Sequence, residues 1–225
     1  MRSVIFDFNG TLFADSDKHR LGWKRFLAKY GLDVDDEEPR THYLGRTNPY
    51  ILKRVFGEDL APALIAERTL EKEATYRRCC MEDPESFHLI AGAEAFLDFL
   101  KAEGVDFTIA TGSEYSNVDF YFKEFHLGRW FDRSRVVLDD GSFPGKPAPD
   151  GYLRAAAVLG VDPADCVVFE DSLSGVRAAH AAGIGKIVAL TTEVSAERLL
   201  SYPGVVAAVP DFTDMVRIWK ESLDS

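Results

Sequence analysis

The sequence predicts an α/β protein with a doubly wound parallel sheet and an α-helical insertion, and three observations carry that prediction. Short β-branched apolar runs recur along the chain, helix-period segments alternate with them from Ile90 onward, and the stretch from about Phe13 to Leu89 holds helical patterns only. The first run, SVIFDF, is continuously apolar up to Asp7, as expected of a parallel strand covered on both faces. The insertion follows as LGWKRFLAKYG, PYILKRVFG and ALIAERTLEKEATYRRC, each with apolar residues at a helical period. Strand-like runs then appear at VDFTIA (Val105 to Ala110), SRVVLD (Ser134 to Asp139), CVVFED (Cys166 to Asp171), GKIVAL (Gly185 to Leu190) and VVAAVP (Val205 to Pro210). Helical segments separate them at AEAFLDFLKAEG, NVDFYFKEF, PDGYLRAAAVLG and SGVRAAHAAG. The organisation expected is a sheet domain from residues 1–13 and 90–225, with a helical domain at 14–89 joined through hinges near Ala14 and Leu89.

Composition narrows the partners. A formal net charge of -11 repels polyanions at long range, which argues against nucleic acid and anionic membranes. The start, MRSVIFDF, breaks its apolar run with Asp7 and does not read as a secretory signal, and no window reaches transmembrane length. A reducing cytoplasm is the expected setting, and a monomer the expected state. Cys79, Cys80 and Cys166 cannot form an even disulfide framework and read as buried thiols.

Ligands of an open parallel sheet sit beyond the carboxyl ends of its strands. Those positions hold Asp7, Asn9, Gly10 and Thr11 after the first strand, Thr111, Gly112 and Ser113 after the second, and Glu170, Asp171 and Ser172 further on. Lys146 lies in the turn GKPAPD. Asp7, Asp171 and Glu170 offer the hard oxygen donors that magnesium prefers, and three clustered anions call for a cation. Thr111, the amides of Gly112 and Ser113, and the Lys146 ammonium suit the oxygens of a phosphate dianion. A carboxylate beside such a clamp can attack phosphorus in line.

These residues, in this order, resemble the motifs of the haloacid dehalogenase-like superfamily, and the resemblance covers nearly the whole chain. The first motif, DxDGT, is met by Asp7, Gly10, Thr11 and Leu12 but not by Asn9. Thr111 matches the second, Lys146 in GKPAPD the third, and Glu170–Asp171 in VVFEDSLSGVRAAHAAG the fourth. The helical insertion resembles the cap of the β-phosphoglucomutase-like branch, and DSDKHRLGW resembles the opening segment of that cap. The resemblance implies a Rossmann-like core, Asp7 as nucleophile, and Mg2+ held by Asp7, the Asn9 carbonyl, Asp171 and Glu170. It implies that Thr111 and Lys146 bind the transferring phosphoryl group of a small phosphorylated metabolite.

The family's second Asp protonates the leaving alcohol and activates the hydrolytic water, and an amide does neither. Asn9 is therefore either installed to trap a complex, native beside another proton donor, or native in a protein of little turnover. His19 is the candidate replacement, since imidazole titrates near neutrality, with a hydrogen-bonded helix-start His as the plainer reading. Phosphonoacetaldehyde hydrolases also lack that Asp and use a cap Lys; Lys18, Lys24, Lys29, Lys53 and Lys72 are available. In LGRTNPY, Arg46 is a candidate for a substrate anion, while Asn48 stands where mutases of the branch place an Arg. Glu114 stands where they tend to place a base, and an acid there repels a distal phosphate. The expectation is a phosphatase, with a sugar phosphomutase, a phosphonatase and a phosphometabolite-binding protein as alternatives.

Overall fold

The computed structural model describes residues 2–32 and 47–224. The chain divides into two compact units, Met1–Ala14 with His88–Ser225, and Asp15–Phe87. In the first, five parallel strands form one sheet in the order β2-β1-β3-β4-β5. They are β1 (Ser3–Phe6), β2 (Phe107–Ile109), β3 (Cys166–Glu170), β4 (Lys186–Leu190) and β5 (Val205–Val209). Successive side chains point to opposite faces of a strand, and both faces of this sheet are covered. On one, Ile5, Val168 and Ile187 pack with Tyr152, Ala155, Val176 and Ala179. On the other, Phe6 stacks on Phe169 at 5.0 Å and meets Phe96 edge-on at 6.2 Å. The helix α4 (Ala93–Ala102) brings Phe96 to that face, where Phe212 and Trp219 complete the aromatic layer.

The sheet is therefore doubly wound, as its continuous apolar strands require. One expected strand is missing. Ser134 to Asp139 pairs with the sheet at a single parallel bridge, Ala110 to Val137. Its first residues are committed to a 3-10 turn at Arg133–Arg135, where the Asp132 carboxylate accepts from the Ser134 amide. At its far end the Asp139 amide donates to the Ser113 carbonyl and its carboxylate accepts from the Gly141 amide. Little of the run is left for a ladder.

The second unit contains, among the described residues, the helices α1 (Ser16–Ala28), α2 (Asn48–Phe56) and α3 (Pro62–Met81). Trp23, Phe26, Leu27, Ile51 and Leu52 form its apolar core. Beside that core runs a buried polar network: Tyr76 donates to Asp15, and Lys72 donates to Glu73 at 2.8 Å. Cys79 and Cys80 are buried free thiols here, as Cys166 is in the sheet. No described helix is long and apolar enough to cross a membrane.

Candidate active site

Strand order reverses direction at β1, so the gap beyond the carboxyl ends of β1 and β3 is the switch point where such sheets bind ligands. Asp7 follows β1 directly, its amide bonded to the Phe169 carbonyl at 2.9 Å, which ties the two strand ends together. Glu170 ends β3 and Asp171 comes next. Asp7, Glu170 and Asp171 are buried and offer carboxylate oxygens that all lie within 4.8 Å of one another. The turn before α6 (Asp150–Leu159) supplies Lys146, whose ammonium donates to Asp7 Oδ1 at 2.6 Å and to Glu170 Oε1 at 2.5 Å.

Each carboxylate is held differently. Glu170 accepts from Lys146, from Tyr152 Oη at 3.0 Å, and from the Asp171 and Ser172 amides at 2.8 Å. Burial pushes its pKa up, but Lys146 and these donors outweigh burial and hold it below the ordinary carboxylate range. Asp171 accepts from Thr11 Oγ1 at 3.2 Å; burial, with Glu170 and Asp7 beside it, drives its carboxyl well above the ordinary value. Asp7 rises to about 7, mainly through burial, against the pull of Lys146. For Lys146, burial favours the neutral amine, but Asp7 and Glu170 reverse that and keep it charged. One ammonium thus faces three carboxylates, a cluster short of positive charge.

Two glycines make the cluster possible. A Cβ on Gly10, whose φ is 80°, would lie 2.1 Å from Asp171 Oδ2, and one on Gly175 would lie 1.6 Å from Glu170 Oε1. Glycine lets the backbone approach the carboxylates this closely. The oxygen donor set, its charge and this close backbone cradle fit a hard divalent cation.

Position 9 continues the site toward β2. Asn9 Oδ1 accepts from Ser113 Oγ at 2.7 Å and from Thr111 Oγ1 at 3.3 Å, and Nδ2 donates to Tyr121 Oη at 2.8 Å. The Ser113 amide turns back onto Thr111 Oγ1 at 3.0 Å, while Gly112 is exposed with open space beside it. Thr111, Ser113, Asn9, Asp7, Lys146, Glu170 and Asp171 therefore all belong to one unit, as two hydrogen-bonded groups: Asn9 with Thr111 and Ser113, and Lys146 with Asp7 and Glu170, which in turn accepts from the Asp171 amide. Glu114 does not point away as a free acid: its carboxylate accepts from the Ser116 and Asn117 amides and caps α5 (Tyr115–Glu124).

His19 lies in the second unit, stacked on Tyr76 at 3.8 Å, with Nδ1 2.9 Å from Lys72 Nζ and Nε2 3.4 Å from Asp15 Oδ2. Asn48 joins the same network by donating to Glu73 at 2.7 Å. Arg46 lies outside the described residues. Thr11 and Ser172 stand at the strand ends where the sequence placed them, without a role assigned there, and their hydroxyls contact Asp171 and Glu170. The hydroxyls of Tyr121 and Tyr152 were missed by sequence reasoning.

A Rossmann-like sheet with carboxylates, a hydroxyl pair and a lysine gathered at its switch point defines an α/β protein whose ligand site lies beyond its strand ends. The family model for haloacid dehalogenase-like hydrolases matches residues 1–183, and the chain belongs to that family. Fructose-1-phosphate phosphatase YqaB of Escherichia coli is 30% identical over 190 residues, covering 82% of this chain and 94% of that protein. A crystal structure of a HAD hydrolase, family IA, variant 3, from Entamoeba histolytica is 34% identical, covers 95% of each chain and has a TM-score of 0.88. A putative beta-phosphoglucomutase from Thermotoga maritima is 26% identical, with 99% of this chain and 100% of that one covered and a TM-score of 0.74. The resemblance to the β-phosphoglucomutase-like branch read from the motifs thus extends to solved structures.

Proposed function

We propose that the protein is a magnesium-dependent phosphohydrolase acting on a small phosphorylated metabolite, with Asp7 as nucleophile. The observation that carries this reading is the Asp7 carboxylate bound to Lys146 within the cluster it shares with Glu170 and Asp171. Asp7, Glu170 and Asp171, with the Asn9 backbone carbonyl, would hold Mg2+, which supplies charge stabilisation for the phosphoryl oxygens. Lys146 and the hydroxyl of Thr111 would bind the same oxygens and orient the phosphorus toward Asp7. An Asp7 oxygen then bonds to phosphorus as the bond to the leaving oxygen breaks, giving an aspartyl phosphate. In the second half, water attacks that phosphorus, the bond to Asp7 breaks, and inorganic phosphate departs. Residues 15–87 would act as a cap carrying substrate-selecting groups, among them His19 and Arg46. The cytoplasm is the setting consistent with the three free thiols.

Asn9 determines the rate. Its amide neither protonates the leaving alkoxide nor takes a proton from water, so alcohols of high pKa leave slowly and the phosphoenzyme persists. General acid–base catalysis contributes about 10²- to 10⁴-fold. Asn9→Asp is expected to raise steady-state turnover of alkyl phosphates by an amount up to that range, with a smaller gain on aryl phosphates. Rapid alkyl turnover by the parent would identify another proton donor, for which His19→Ala is the next variant. A second reading, a phosphometabolite-binding protein, is favoured by the same Asn9; both forms binding phosphate ligands without turnover would establish it.

A further inference from the structure

We propose that Tyr121 is a positioning residue: its hydroxyl, with that of Ser113, closes a hydrogen-bonded ring around the Asn9 side chain and fixes where position 9 points. Asn9 Nδ2 donates to Tyr121 Oη at 2.8 Å, and Ser113 Oγ donates to Asn9 Oδ1 at 2.7 Å. Ser113 has then spent its hydrogen on the amide, so across the 3.5 Å between the two hydroxyls Tyr121 is the donor. Each group gives one hydrogen and accepts one, head to tail around the ring. Thr111 adds a further donor to Asn9 Oδ1.

Tyr121 cannot follow a moving side chain. It is 1% exposed, its ring stacks on Phe8 at 4.3 Å and 19°, and it packs against Phe13 and Phe125. Phe8 is the residue before Asn9, so the ring and the backbone of the loop are held as one piece. The direction of the ring is specific for an amide, because an ionised carboxylate has no hydrogen to give Tyr121. A carboxylate at position 9 would turn the Tyr121 hydroxyl around and accept from Tyr121, Ser113 and Thr111 together. Its oxygens would be held toward α5 rather than free to reach a leaving group. The ring as it stands thus suits an amide, and removing the Tyr121 hydroxyl takes away one of the three donors that would hold an aspartate at that position.

This inference rests on the phosphohydrolase reading for its kinetic consequence, so two measurements test it. In the Asn9 protein, Tyr121→Phe is expected to shift the Asn9 side-chain NH2 resonances and speed their exchange with solvent, read by 1H–15N spectroscopy. Unmoved Asn9 resonances overturn the proposal. On an alkyl phosphate with Mg2+, adding Tyr121→Phe to Asn9→Asp is expected to raise kcat about ten- to a hundredfold at unchanged KM, the scale of a misplaced reacting group. An equal effect of Tyr121→Phe with Asn or Asp at position 9 marks a merely structural role and overturns it. If all four forms are inert on every phosphate while the Asn9 resonances shift, the hydrolase reading fails and the ring is upheld. Should Tyr121→Phe not fold, Ser113→Ala opens the ring from the other side, with the same resonance shift expected and the same null result contradicting it.

Discussion

At the scale of single residues, the site depends on groups that approach closer than ordinary side chains allow. Gly175 has Glu170 Oε1 1.6 Å from where its Cβ would be, so Gly175→Ala must displace the carboxylate. Overpacking of this kind costs about 1–3 kcal/mol. The variant is expected to lower the urea midpoint accordingly and to weaken Mg2+ binding measured by calorimetry; unchanged binding would show that Glu170 does not contribute to the metal site. Asp7, Thr111, Lys146 and the Glu170–Asp171 pair were legible in the sequence because each follows a strand or sits in a marked turn, and their order is distinctive. Tyr121 and Tyr152 were not. Both are aromatic positions on helix faces that read as apolar core, and only the folded chain brings their hydroxyls to Asn9 and Glu170.

At the scale of elements, Ser172 links the geometry of the carboxylate cluster to helix formation. It caps α7 (Leu173–Ala181) by accepting from the Gly175 amide at 3.0 Å, and its hydroxyl contacts Glu170 Oε2 at 3.0 Å. Ser172→Ala is expected to cost about 1 kcal/mol by removing the cap, read as a shift in the chemical-denaturation midpoint. The five strands observed were legible as continuous apolar runs, because a doubly covered parallel strand must be apolar on both sides. Ser134 to Asp139 carries the same composition yet makes one bridge, because Asp132 and Asp139 draw its ends into turns. Turn chemistry from acidic neighbours competed with β-propensity and won.

At the scale of the whole molecule, charge in the cluster couples stability to pH, and a bound cation would add to that coupling. Asp7 and Asp171 hold protons more tightly folded than unfolded, so over the window from the ordinary value of 3.8 to about 7 for Asp7 the folded state binds the extra proton. Their contribution to stability therefore falls as pH rises through that window. Glu170 has the opposite sign, and its contribution is lost only as pH falls below the ordinary carboxylate range. A divalent cation held by these carboxylates would replace those protons and bind the folded state alone, so its stabilisation would grow with pH. The Tm gain from Mg2+ is expected to be larger at about pH 8 than at about pH 5. A gain that is equal, or larger in acid, would contradict a metal site on these carboxylates.

The central claim is that Asp7 attacks phosphorus and that Asn9 leaves the second half of the reaction slow. Rapid-quench mixing of the protein and Mg2+ with an aryl phosphate, whose leaving group needs no acid, tests both parts in one trace. The account predicts a burst of released phenol stoichiometric with enzyme, a slow steady state, and a phosphoryl group recovered on Asp7. A linear trace with no burst and unmodified Asp7 would contradict it.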